Sequence, residues 1–121
     1  MLRVDLDSNE ATFLPGGILS GRIVWELSQT PRKIEAYLAW ATEGKGDEDG
    51  DMVVEQAWIP SAESGTQPFR WQLPRGPLSL DGKLIRIRWS IECSTTKPDE
   101  DTSVPIILSH LQRPIVLTST Q

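Results

Sequence analysis

The chain has 121 residues, 38% of them apolar and 24% charged, within the range of an ordinary soluble domain and far from disordered or collagen-like compositions. Its 12 basic and 17 acidic residues leave a net charge of -5, which disfavours nucleic acid and anionic lipid as partners. Cys93 is the only cysteine, so an internal disulfide framework is excluded. The first ten residues, MLRVDLDSNE, hold no signal-like apolar run, and no stretch reaches the ~20 apolar residues of a membrane-spanning helix. The expectation is a soluble, cytoplasmic protein with no integral membrane segment.

In chain order, the dominant signal is a period of two. Leu2, Val4 and Leu6 alternate with polar neighbours, and so do Leu19, Gly21, Ile23, Trp25 and Leu27, between which stand Ser20, Arg22 and Glu26. Successive strand side chains point to opposite faces, so this pattern places one face in a core and the other in water. Ile34, Ala36, Leu38 and Trp40 repeat it. Lys33, Glu35, Ala36 and Leu38 also favour helix, but strict alternation outweighs propensity and predicts a strand. Trp58 lies near a strand end before Ile59 and Pro60. Further runs follow at Phe69, Trp71 and Leu73, at Ile85, Ile87, Trp89, Ile91 and Cys93, and at Val104, Ile106 and Leu108.

Turn residues separate the runs at 14–17, 29–31, 43–51, 61–68, 74–82 and 95–103, where most of the nine glycines and nine prolines collect. With no internal repeat or linker, the chain reads as one all-β domain over 1–121. About seven to eight short strands are expected in a two-layer antiparallel β-sandwich, because each half-buried sheet needs another to cover it. Trp25, Trp40, Trp71 and Trp89 fall in the inward phase, and the position of Trp58 is ambiguous.

Two blocks resemble a known family. Phe13, Leu14, Pro15, Gly16 and Gly17, followed by Leu19, Ser20, Gly21, Arg22 and Ile23, are similar to the aromatic-x-Pro-Gly opening of arrestin-like domains. Phe69, Leu73, Pro74, Pro77, Ser79 and Gly82, followed by Ile85, Ile87, Trp89 and Ile91, resemble the same family's F-x-x-x-L-P-x-x-x-P-x-S-x-x-G block and its following strand, with tryptophan where tyrosine is commoner. The resemblance spans roughly residues 2 to 110. It implies an immunoglobulin-like sandwich that holds other proteins, as in arrestins, alpha-arrestins and the retromer subunit Vps26. Those relatives carry two such domains in tandem and this chain has length for one. The inter-domain groove, polar core and regulatory tail therefore do not carry over, whereas a homodimer would imitate the pair.

Candidate chemistry is sparse. Asp47, Glu48, Asp49 and Asp51 form an acidic run suited to hard cations, but the EF-hand pattern fails at Met52 and Trp58, and a solvated loop is the alternative. A second run, Asp99 to Asp101, would complete a cation site only by meeting the first in space. Cys93 and His110 are the sole thiol and imidazole, with Cys93 in the apolar phase of its strand, so neither a nucleophilic pair nor a zinc site is expected. Gly44, Lys45 and Gly46 lack phosphate-loop spacing. Arg70, Arg86 and Arg88, with Arg75 between them, fall in the solvent phase of two successive strands. Adjacent pairing of those strands would gather them for an acidic peptide; otherwise they keep a sheet face wet. The reading is a non-enzymatic adaptor or scaffold domain with an unidentified protein partner and no cofactor. A metal- or carbohydrate-binding accessory module using the acidic loops and Trp58 is the alternative.

Overall fold

Alternation in the sequence becomes burial in three dimensions. The computed structural model describes residues 1–44, 49–82, 85–110 and 115–116. Seven long strands, β1 (Leu2–Leu6), β3 (Ile18–Glu26), β4 (Lys33–Gly44), β5 (Gly50–Trp58), β6 (Ser64–Gln72), β8 (Ile85–Thr96) and β9 (Glu100–Leu108), match the expected count. Three two-residue strands, β2 (Thr12–Phe13), β7 (Leu80–Asp81) and β10 (Ile115–Val116), add to them. β1, β3 and β6 make a three-stranded antiparallel sheet, and the other strands make a seven-stranded sheet. The fold is all-β and two-layered, as the alternation requires. Pairing is not wholly antiparallel, because β2 joins β9 and β10 joins β7 in parallel.

The strands are longer and the turns shorter than turn chemistry suggests. β6 begins at Ser64, inside the expected 61–68 loop, and carries Pro68 within the strand. β8 and β9 run to Thr96 and from Glu100, leaving three residues between them instead of the nine of 95–103. Lys97, at φ 49°, makes that tight reversal, and its N–H is bound by the Asp99 carboxylate at 2.9 Å. Pro68 sits on a sheet edge, where a missing N–H costs no ladder bond if it faces away from the neighbour.

The core is shared by both sheets. Leu19, Ile23, Trp25, Phe69 and Trp71 from the smaller layer face Ile34, Leu38, Trp89, Ile91 and Leu108 from the larger, all buried. Each such side chain contributes ~1.5–3 kcal/mol by leaving water. Trp40 and Trp58 are half-buried and pack against this cluster, and Trp58 lies tilted against Trp25 with ring centroids 6.3 Å apart. The position left ambiguous by the sequence is thus inward. Residues Lys33 to Gly44 form a strand despite their helical propensity, because Ile34, Ala36 and Leu38 all reach the core in phase.

The two blocks that carry the family resemblance meet each other. Gly16, at φ +75°, turns the 14–17 loop so that its N–H reaches the Pro74 carbonyl at 3.1 Å, while Leu73 N–H binds the Gly17 carbonyl at 2.8 Å. A Cβ at Gly21 would collide with the Asp5 carbonyl and come within 3.1 Å of the Phe69 ring, so only glycine fits between β1 and β6 there. The stiff 74–82 connection is a strap across the larger sheet. Pro77 accepts a 2.6 Å bond from the Trp89 indole N–H, and Ser79 exchanges two bonds with Leu108, through its N–H at 2.8 Å and its Oγ at 2.9 Å.

Candidate functional site

β8 organises the larger sheet. One side pairs with β4 along its length; the other is shared by β7 at Arg86 and Ile87 and by β9 from Trp89 to Thr95. The step between β7 and β9 leaves a cavity of about 270 Å³ lined by Ser79, Asp81, Arg86, Arg88 and Ile107. Its arginines are already engaged. Arg86 Nε lies 3.1 Å from Asp81 Oδ1 and Arg88 Nε 3.5 Å from Glu43 Oε2, surface pairs worth ~0–1 kcal/mol each.

The arginine cluster expected from adjacent pairing does not form. Arg70 is on β6, opposite Ser20 in the three-stranded sheet, whereas Arg86 and Arg88 are on β8 in the other sheet. All three are exposed on outward faces, and those faces look away from each other across the sandwich. A chain reversal that stays in one sheet would have joined them. The 74–82 strap instead carries the chain from one layer to the other.

The acidic runs are also separated. Asp47 and Glu48 lie outside the described residues. Asp49 closes the β4–β5 connection: its N–H binds Thr42 Oγ1 at 2.7 Å and its carboxylate accepts the Gly50 N–H at 2.8 Å. Asp51 is exposed and faces Trp40 in register. The Asp99 run lies beyond Thr96, which pairs with Lys33, while the Asp49 connection follows Gly44, so β4 holds the two at opposite ends, roughly 35 Å apart. Shared ligation is ruled out by that length. Among the described residues no group of three or more His, Cys, Asp or Glu is arranged to hold a metal ion.

Cys93 faces the core and is 1% exposed, and burial pushes its thiol up to about 12, away from the reactive thiolate. It pairs in register with Thr102, eight residues before the exposed His110, so the two groups lie ~25 Å apart along the strand direction. They make no catalytic couple.

What sequence reading missed is the pattern of strand edges. On one side of the sandwich, β2 crosses to β9 and the main chain is laced by Ile107 N–H to the Ala11 carbonyl at 2.7 Å and Ser109 N–H to the Phe13 carbonyl at 3.0 Å. On the other, among the described residues, β5 pairs only with β4 and β6 only with β3. A 3.3 Å bond from the Trp71 indole N–H to Gln56 Oε1 spans these two edges. The Trp58 indole N–H is buried there with no hydrogen-bond partner among the described residues. Beside the β5 edge the outward face is acidic. Glu55, Tyr37, Glu92 and Ser103 form one row across four strands, and Ala57, Glu35, Ser94 and Asp101 the next. A groove of about 340 Å³ runs along Tyr37, Glu92, Ser94, Asp101 and Ser103.

No family model matches the chain, and no curated protein sequence does. The fold and its edges define a two-layer sandwich of the arrestin-like kind. Among solved structures, the chain is similar to the crystal structure of Spo0M, a sporulation control protein from Bacillus subtilis, with a TM-score of 0.61 and 16% identity. The match covers 89% of this chain and 49% of that one, so the chain spans about half of its neighbour's length. At that identity the likeness is one of fold. No helix among the described residues is long and apolar enough to cross a membrane.

Proposed function

We propose that the chain is a non-enzymatic protein-interaction domain that works as an adaptor or scaffold in the cytoplasm, as a single arrestin-like unit. The observation that carries this reading is the open side of the sandwich, where β5 and β6 each leave a main-chain edge unpaired in its sheet among the described residues. Exposed strand edges are templates for another chain, and natural proteins blunt the ones they do not use with proline, charge, bulges or covering segments. The thiol and imidazole are far apart, and the cavity beside β8 is lined by arginines already held in ion pairs. The role of the fold neighbour, sporulation control, is consistent with a regulatory module but is that protein's own.

Capture of native partners on the immobilised chain, with cross-linking to map the contact, tests this reading. It expects a reproducible protein partner whose cross-links fall on strand edges or loops. A calcium or glycan titration that gives heat, with no protein captured, would replace it by the accessory-module reading.

A further inference from the structure

The adaptor reading leaves open which edge works and what it takes; the following rests on that reading. Four long strands border the sheets, and they differ as templates. β6 carries Pro68, β9 carries Pro105 and is partly covered by β2, and β1 lies on the closed side against β9, with the Met1 ammonium 3.5 Å from Glu100 Oε1. Among the described residues, only β5, with the sequence GDMVVEQAW, is an edge strand free of proline and left uncovered. Its register against β4 slips between Leu38 and Ala39, so that Val53 is bulged and skipped in the pairing. The regular frame is therefore Val54–Trp58. In it Val54, Gln56 and Trp58 face the core side, opposite Leu38, Ala36 and Ile34, while Glu55 and Ala57 face outward, opposite Tyr37 and Glu35.

Charge then selects the occupant. Glu55 and Glu92 flank Tyr37 on the outward face, with Glu35 and Asp101 in the next row. Lys33 is the one cation in ion-pair contact with this group among the described residues; its Nζ binds Glu35 at 2.5 Å, and it is drawn more weakly by Glu55. A second copy of the chain fits poorly. Antiparallel self-pairing across Val54–Trp58 would set the two Glu55 side chains diagonally on one face, ~7–8 Å apart, with like charge.

We propose that the Val54–Trp58 edge accepts, by strand addition, an extended segment of a partner protein that alternates apolar and basic residues. Its pattern is apolar, basic, any, basic, apolar. The apolar side chains cover half-buried Val54 and Trp58 on the core side. One basic side chain lies beside Glu55, and the other passes the small Ala57 toward Glu35. Main-chain bonds would give the affinity and the alternate side chains the selectivity.

The test uses the whole chain and a labelled peptide whose core is Val-Lys-Gln-Lys-Val flanked by Gly-Ser, at about 50 mM salt, where surface charges are weakly screened. Binding is expected, with amide exchange slowed on β5, and Glu55→Lys should weaken it about tenfold at unchanged melting temperature, with Glu55→Gln between. The same peptide with glutamate for lysine, or with N-methylated main-chain amides, should not bind. The proposal is overturned by no binding at about 1 mM peptide. Equal binding of the glutamate peptide, or protection on β1, β6 or the loops instead of β5, would also overturn it. The adaptor reading fails separately, by capture of no protein at all; a partner cross-linked elsewhere leaves it standing while removing this one.

Discussion

The two sides of the sandwich are built on different terms. On the closed side, β2, β9 and the 74–82 strap interlock through main-chain bonds, and Leu108 and Ser109 are almost wholly buried. On the open side, β5 ends its sheet with half-buried inward residues, Met52, Val53 and Ile59 are exposed, and β6 is an edge strand whose Phe69 and Trp71 stay buried. Stability is concentrated where the layers are tied, and free hydrogen-bonding capacity is left where they are not. A domain that held another chain as proposed would need both, since a template strand must be presented by a scaffold that does not open with it.

The sharpest way to break this contrast is to cut the closed side. Leu108→Ala removes a side chain with no exposure and should cost ~2–5 kcal/mol in chemical denaturation. Val54→Ala on the open side, half-buried, should cost ~1 kcal/mol or less by the same measurement. If the two losses are equal, the contrast is wrong. Ser79→Ala comes next. It strips the acceptor from the Leu108 N–H in a buried setting, an expected loss of ~1–3 kcal/mol that Ser79→Thr would separate from simple truncation.

Cys93 probes the interior that both sides share. Its folded value is raised from 9.0 to about 12, so above pH 9 the unfolded chain loses a proton that the folded one keeps, and stability falls as pH rises from 9 toward 12. Cys93→Ala should flatten that slope in denaturation curves taken across the range. The native thiol should stay unreactive toward a disulfide reagent at pH 8, where the unfolded chain reacts. The smallest effect belongs to Arg88→Gln, which breaks only an exposed pair with Glu43 and should shift stability by under ~1 kcal/mol, less in high salt. Amide exchange sharpens the comparison without substitutions: the unpaired edge of β5 should exchange ahead of β9 and β8.

Legibility in the sequence followed regularity. β3, β4, β8 and β9 keep strict alternation, and each was readable as a half-buried strand, including β4 against its helical propensity. β5 was not. The bulge at Val53 puts Met52, Val53 and Val54 out of phase, so the strand that matters most for the proposed contact shows no clean period. The first half of β6 has the sequence of a loop for a related reason, since Ser64 to Pro68 use turn-forming residues on an edge where pairing is needed on one side alone. The inward tryptophans were legible from phase, with Trp58 as the exception, because its inward neighbour two residues back is the polar Gln56 and the apolar run Met52–Val54 before it does not alternate.

Alternation, turn chemistry and a lone in-phase cysteine, all properties of neighbours along the chain, determine that this protein is all-β and two-layered, with its one thiol on the inward face. Which strands lie side by side is settled only by how the layers cover each other. That is why Arg70 and Arg86 part company across the sandwich, why the two acidic runs end up at opposite ends of β4, and why β5 is left with an open edge. Strand pairing joins residues far apart in sequence through backbone groups that every residue carries, so its partners leave little trace in any one segment.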